Sequence, residues 1–194
     1  MFVCIHTGLG KTSNIRVCQV GAIILDQEMN QIGTFNEFCN PEKPIEDSAT
    51  KVNGITNQYV ELLDKWDKVG LNFNRWIAHY AEGLPITLVA HNGKRFDFRI
   101  LAFENARHKI PNLPNLYCTD SITPFKELYP GCTDYKLGTI YETQFKEVIE
   151  GQHTALADCQ AMRELFQYKD HKLVRDKLFK YREPFDCIIK RCLK

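Results

Sequence analysis

The sequence predicts a three-layer α/β domain built around a mixed β-sheet. Three strand-like segments come first, and segments of helix and strand alternate after them. A run of strands followed by alternating helices and strands is typical of a sheet that is covered by helices. A chain of 194 residues, 44% of them hydrophobic, is long enough to bury one sizeable core. We therefore expect a single globular domain.

The first strands are predicted from apolar runs separated by turn-forming stretches. Residues 2–6, 15–25 and 31–39 are rich in β-branched and aromatic residues, and GLGKTSN and DQEMN separate them. This pattern predicts an antiparallel meander. Residues 84–91 (LPITLVAH) are almost wholly apolar, as expected of a strand that is buried on both faces. Residues 117–120 are a candidate for one further short strand.

Helical spacing of apolar residues predicts the helices. Residues 58–80 form one long or two short helices, and further helices are predicted at 96–107, in PFKELY, at 135–145 and at 153–168. NPEKPIEDSATKVNGIT contains two prolines and a glycine and is interpreted as a loop. The tail, residues 169–194, carries nine Lys or Arg against four Asp or Glu. We interpret it as a helical extension with solvated lysines, in preference to a nucleic-acid-binding surface.

Composition excludes several classes of protein. The formal net charge of +1 provides no global basic field, so a nucleic-acid partner would need a local patch. The eight cysteines are scattered without a C-x-x-C pair, which indicates reduced thiols in an intracellular protein, cytoplasmic or nuclear. No apolar run approaches the roughly 18 residues of a membrane span, so we expect no membrane association.

Two stretches carry residues suited to catalysis. In AHNGKRFDFRIL, a buried strand ends in an Asn-Gly turn that delivers Asp97 to the first turn of a helix. In GQHTALADCQAM, His153 precedes Asp158 by five residues at the opening of a helix. An imidazole can act as a general base toward a metal-bound water while a carboxylate holds the metal. Taken singly, each residue is interpreted more simply as a capping or packing residue.

Together and in this order, these stretches resemble the DEDDh 3′–5′ exonucleases, a family that includes proofreading subunits and three-prime repair exonucleases. HNGKRFDFRIL is similar to the second motif and HTALADCQAM to the third, while DSITPFKEL and YKLGTIYETQF are similar to segments between them. The resemblance implies a ribonuclease-H-like fold with a mixed five-stranded sheet and flanking helices. It also implies Asp97 and Asp158 as metal ligands and His153 as general base. Residues 1–168 would form this domain, and residues 169–194 its basic extension.

This chain departs from the first motif of the family. That motif reads Phe-Asp-x-Glu-Thr-Thr-Gly-Leu, whereas this chain has FVCIHTGLG. A gapless match puts Val3 and Ile5 in place of the two acids, and a gapped match puts Cys4 and His6 there. Neither supplies a carboxylate. We prefer the gapless register, in which Cys4 and His6 face the other side of the strand.

Paired divalent ions need several carboxylates to offset their repulsion, and two of the four acids are missing. We therefore expect no cofactor, or one weakly bound Mg²⁺ or Mn²⁺ at Asp97 and Asp158. Zn²⁺ is less favoured because it would need the gapped register, with Cys4 and His6 as ligands. Because loss of one member of a cooperating set usually removes most of the catalysis, hydrolysis should be weak or absent.

The sequence thus predicts a degenerate 3′–5′ exonuclease-like domain that binds nucleic acid or acts as a scaffold. Single-stranded RNA or DNA and a protein partner are the candidate partners. The residues expected near a bound 3′ end are Leu9, His91, Asn92, Lys94, Arg95 and Phe98. Two alternatives stay open. One is an active exonuclease with an unusual metal-ligand set, and the other is a protein-interaction or homodimerisation module without nucleic acid.

Overall fold

A computed structural model describes residues 1–9, 16–152 and 154–192, with only the backbone of residues 8 and 9. Its central feature is a six-stranded mixed sheet in the order β3-β2-β1-β4-β5-β6. The strands are β1 (Phe2–Leu9), β2 (Val17–Leu25), β3 (Gln31–Phe38), β4 (Ile86–Ala90), β5 (Leu116–Asp120) and β6 (Glu183–Pro184).

The antiparallel meander predicted for the first three strands is confirmed. β1 pairs with β2, and β2 with β3, both antiparallel, while β1 and β5 each pair with β4 in parallel. The prediction of five strands is corrected to six, because Glu183 and Pro184 pair antiparallel with β5. Two residues flanked by helices are too short to give a sequence signal for a strand.

Helices cover the sheet. They are α1 (Asp47–Asn53), α2 (Asn57–Val60), α3 (Trp66–Ala81), α4 (Asp97–Arg107), α5 (Ile122–Leu128), α6 (Leu137–Phe145), α7 (Ala155–Gln167), α8 (His171–Lys180) and α9 (Phe185–Cys192). The interpretation of residues 40–56 as a loop is wrong for α1. Both prolines precede this helix, and Gly54 ends it with a positive φ of 73° that glycine adopts at little cost.

The two faces of the sheet bury separate cores. Alternate residues of β1, including Val3 and Ile5, pack against apolar residues of α3, α4 and α9. Phe2 and Cys4, on the opposite face of the same strand, pack against α5, α6, α7 and α8. Because β1 is apolar on both faces, it lies at the centre of the domain, and its carboxyl end positions the candidate site.

The residues after α7 are integrated into this architecture. Phe185 and Ile188 of α9 belong to the same core as β1, and β6 extends the sheet. Lys177, Lys180 and Tyr181 all donate to the carboxylate of Glu127 in α5. Lys177 and Lys180 of the tail are therefore paired with an acid of the same domain.

Two further properties bear on the expectations from composition. All eight cysteines are free thiols. Across the described ranges, every helix is too short or too polar to cross a membrane.

Candidate functional site

The carboxyl end of β1 brings His6 to the two acids that the sequence singled out. Nδ1 of His6 lies 3.7 Å from Oδ1 of Asp97, and its Nε2 lies 3.6 Å from Oδ2 of Asp158. The two ring nitrogens thus face different carboxylates, and the imidazole spans the pair. The His6 side chain is 27% exposed. Asp97, Asp158 and His6 therefore form one cluster.

The residues of the two candidate registers of the first motif lie on opposite faces of β1. Val3 and Ile5 are fully buried in the core beneath α3 and α4. Cys4 and His6 lie on the opposite face, toward α7, and His6 is the residue that contacts both acids. His6, which is a first-motif position in the gapped register, is therefore the residue of β1 that lies between the two acids.

Asp97 is positioned by β1. Its Oδ1 accepts hydrogen bonds from the backbone N–H of Thr7 at 2.8 Å and from the Thr7 hydroxyl at 3.0 Å. Asp97 is 1% exposed. Burial raises the pKa of Asp97, and the nearby His6 and the two hydrogen bonds from Thr7 offset part of the rise. Asp97 is therefore more than the solvated first-turn acid of a helix.

Asp158 is placed by the start of α7. The hydroxyl of Thr154 caps this helix by accepting the N–H of Ala157. Gln19 of β2 accepts the N–H of Ala155. Gly21 of β2 pairs with His6, and a Cβ on Gly21 would lie 2.7 Å from the backbone of Ala155. The absent side chain thus lets α7 approach the sheet closely enough to bring Asp158 to His6.

The turn between β4 and α4 is organised by Asp120 at the end of β5. Its carboxylate accepts the backbone N–H groups of Asn92, Lys94 and Ile122. Asn92 has a positive φ of 60°, which asparagine tolerates better than most residues. Sequence reasoning did not select Asp120. The available signal was a carboxylate as the last residue of a predicted short strand.

His91 is held in one tautomer. Nε2 contacts the carbonyl of Tyr135 at 2.8 Å, and Nδ1 contacts the hydroxyl of Ser121 at 2.9 Å. Because a carbonyl only accepts, Nε2 carries the proton and Nδ1 accepts from Ser121. Burial lowers the pKa of His91. The ring therefore forms part of the wall of the site and has no nitrogen to spare for a ligand.

A cleft of about 660 Å³ opens beside Asp158. Its walls come from the turn after β4, from α5 and α6, and from the loop before α7. The lining residues are His91, Asn92, Phe96, Ile122, Lys126, Tyr135, Lys136, Leu137, Gly138, Gln152 and Asp158. Two lysines and two aromatic rings suit a ligand that carries both phosphates and flat bases.

The remaining predicted contact residues divide into three groups. Phe98 is fully buried, so the expectation that it contacts nucleic acid is corrected, and Phe96 lines the cleft instead. Lys94 and Arg95 are exposed, with Arg95 over the ring of Phe96 at 5.4 Å. His153 and the side chain of Leu9 lie outside the described residues.

The described residues do not fit a paired-metal site. Mg²⁺ and Mn²⁺ prefer several oxygen ligands, and the cluster offers two carboxylates with an imidazole between them. Cys4 is fully buried, and burial raises the pKa of its thiol, which disfavours the thiolate that a metal would need. Across residues 1–9, 16–152 and 154–192, no group of three His, Cys, Asp or Glu is arranged to hold a metal ion.

Comparison with known proteins identifies the family. The family model described as Exonuclease (RNase_T) matches residues 6–166. The chain belongs to the exonuclease family. The match begins at His6, so Val3, Cys4 and Ile5 lie before it. Its relatives are 3′–5′ exonucleases of the DEDDh type, which confirms the resemblance that the motifs carry.

Two relatives illustrate the extent of the similarity. The DNA polymerase III subunit epsilon of Buchnera aphidicola is 27% identical over 201 aligned residues, covering 92% of this chain and 76% of the relative. The human three-prime repair exonuclease 1 is 34% identical over 100 residues, covering 47% of this chain and 32% of that protein. The chain thus spans most of the first relative and about a third of the second.

Solved structures of exonucleases share the fold. Exonuclease I superposes with a TM-score of 0.74 at 19% identity, over 92% of this chain and 43% of that chain. Exonuclease X in complex with 5′ overhanging duplex DNA superposes with a TM-score of 0.63 at 17% identity, over 92% of this chain and 99% of that chain. The ribonuclease-H-like fold is therefore confirmed.

Proposed function

We propose that this chain binds the 3′ end of a single-stranded nucleic acid and has lost most or all of the hydrolytic activity of its family. The observation that carries the proposal is His6, whose ring spans Asp97 and Asp158. An ion shared by those two carboxylates would have to displace the ring. The remaining family acids are absent from β1, so a displaced ring would still leave too few oxygen ligands.

Binding is supported by the cleft. Lys126 provides positive charge on its wall, and so does the exposed Lys136, whose Nζ also lies 3.1 Å from Oδ2 of Asp134. Phe96 and Tyr135 provide rings on which a base can stack. Escherichia coli exonuclease I has been solved with a dT13 oligonucleotide, and its fold aligns with 93% of this chain. A short single strand of DNA is therefore the first probe, and RNA of the same sequence is the second.

The test is incubation of a labelled single-stranded oligonucleotide with the purified protein in Mg²⁺ and then in Mn²⁺. Binding is followed by fluorescence anisotropy in the same samples, and Asp158→Ala is the control. We expect an intact oligonucleotide with both proteins and saturable binding by the wild type. Phosphate contacts should make that binding weaken steeply with salt.

Each other outcome identifies an alternative. Digestion from the 3′ end that disappears in Asp158→Ala would mean that the chain is an active exonuclease with an unusual ligand set. An intact oligonucleotide without binding, together with self-association, would favour the protein-interaction module.

A further inference from the structure

The side chain of Lys94 is held by a residue far along the chain. Nζ of Lys94 lies 2.9 Å from Oε1 of Glu183, which belongs to β6. β6 pairs with β5 through Cys118 and Glu183, so it lies close to the turn that Asp120 organises. The segment after α7 therefore contacts the turn that forms one wall of the cleft.

This ion pair holds the ammonium of Lys94 beside β6 and outside the lining of the cleft. His91, Asn92 and Phe96 of the same turn line the cleft, whereas Lys94 is absent from its described lining. The Lys94 side chain is nevertheless 48% exposed. A lysine stem is long and flexible, so its ammonium can change partners while the backbone N–H stays bonded to Asp120.

Release of Lys94 would leave Glu183 with a partner. Oε2 of Glu183 lies 2.9 Å from Nη2 of Arg191 in α9. The Glu183 side chain is only 20% exposed, and a carboxylate at that depth without a cation would be costly. Because Arg191 stays on Oε2, Glu183 keeps one cation when Lys94 leaves Oε1. A partly exposed pair of this kind contributes little to stability and is easily exchanged.

We propose that Glu183 regulates the nucleic-acid cleft by competing with phosphate for Lys94. In the free protein Glu183 holds Lys94 beside β6, and a phosphate of a bound single strand takes Lys94 over. The inference rests on the proposed function, since it needs a nucleic acid in the cleft. It assigns to the segment after α7 a role in setting the affinity of the site.

The test measures the affinity of a labelled single-stranded DNA oligonucleotide for four proteins at several salt concentrations. These are the wild type, Glu183→Gln, Lys94→Gln and the double variant. Glu183→Gln should bind about two- to fivefold more tightly, because the competing charge is gone. Lys94→Gln should bind more weakly, with a salt slope reduced by about one. The double variant should match Lys94→Gln.

Asp186→Asn is the matched control. Asp186 is an exposed acid of α9 three residues beyond Glu183, so its removal changes the net charge equally without releasing Lys94. A gain in Asp186→Asn equal to that in Glu183→Gln would overturn the inference, as would a gain that persists in the double variant. If the wild type binds but Glu183→Gln is unchanged, the inference alone is wrong. If neither the wild type nor Glu183→Gln binds, both the proposed function and this inference are wrong.

Discussion

At the scale of single residues, the proposed loss of hydrolysis rests on Cys4 and His6. His6 reaches both acids, and Cys4 lies one alternate position earlier on the same face of β1. An imidazole between two carboxylates relieves their mutual repulsion without a metal whenever it carries a proton. In this structure, the His6 side chain therefore occupies the place between Asp97 and Asp158 that a shared metal ion would need.

Restoring the two acids should restore hydrolysis. In Cys4→Asp/His6→Glu we expect Mg²⁺-dependent 3′ digestion at least about tenfold above the wild type, because the missing members of a cooperating ligand set return. Mg²⁺ should also raise the Tm of this variant by binding the folded state, with a much smaller shift in the wild type. The measurements are oligonucleotide digestion and thermal unfolding with and without Mg²⁺.

The matched control is Val3→Asp/Ile5→Glu, which restores the acids in the gapless register. Val3 and Ile5 are buried on the face of β1 opposite His6, so two carboxylates there would have no ion to neutralise them and should prevent stable folding. Cys4 is buried as well, but it lies on the same face as His6, so an Asp there can be neutralised by an ion held with Asp97 and Asp158. Digestion by this control, and none by Cys4→Asp/His6→Glu, would return the first motif to the gapless register. His6→Glu alone is a milder variant, because His6 is partly exposed, and it should already show the Mg²⁺ effect on Tm.

His91 gives the site a dependence on pH. Burial lowers the pKa of His91, so the unfolded chain takes up the proton more readily than the folded one. The contribution of neutral His91 to stability is complete above the pKa of an unfolded histidine, near 6.5, and is lost as the pH falls below it. We expect NMR titration to give a lower midpoint for His91 in the native protein than in the urea-unfolded chain. An equal or higher native midpoint would contradict this assignment.

At the scale of elements, the approach of α7 to β2 brings Asp158 to the site. Gly21 permits it, since a Cβ there would lie 2.7 Å from the carbonyl carbon of Ala155 and from the backbone nitrogen of Leu156. No side-chain rotation removes that overlap. α7 would have to shift as a body, and Asp158 would move with it.

Gly21→Ala should therefore destabilise the protein by about 1–3 kcal/mol, the usual cost of overpacking a close contact. Urea unfolding is the measurement. Gly33→Ala is the matched control in the neighbouring strand, because its Cβ would meet the far end of the Tyr80 side chain, which can rotate away. A loss in Gly21→Ala no larger than in Gly33→Ala would show that α7 adjusts freely.

At the scale of the whole molecule, the segment after α7 packs against the strands and helices that form the site. Phe185 and Ile188 of α9 share a core with Val3 and Ile5 of β1. β6 adds a strand beside β5, and the tail helix α8 is tied to α5 through Glu127. The basic tail is thus helical and engaged within the domain, with Lys177 and Lys180 paired to Glu127 rather than only solvated. Its influence on the cleft would pass through Glu183 and Lys94.

Most elements could be predicted from local sequence, and the exceptions have physical causes. The apolar runs of β1 to β4 and the helical spacing of α3 and α7 are strong local signals. α1 was missed because two nearby prolines suggested a loop, and β6 because two residues have no periodicity. Phe98 was misassigned to the cleft because spacing near a motif does not tell which residue of a helix turn faces inward.

By itself, the sequence determined the family, most of the elements in their order, and the absence of carboxylates before Asp26. Only the tertiary structure decided which face of β1 points to Asp97 and Asp158. In a strand, a shift of one residue turns every side chain to the other face. An alternation of polar and apolar residues specifies the register when one face is polar. β1 is apolar on both faces from Phe2 to Ile5, so its pattern fits either register. Packing against α4 on one side and α7 on the other turns Cys4 toward α7 and leaves His6 between the acids.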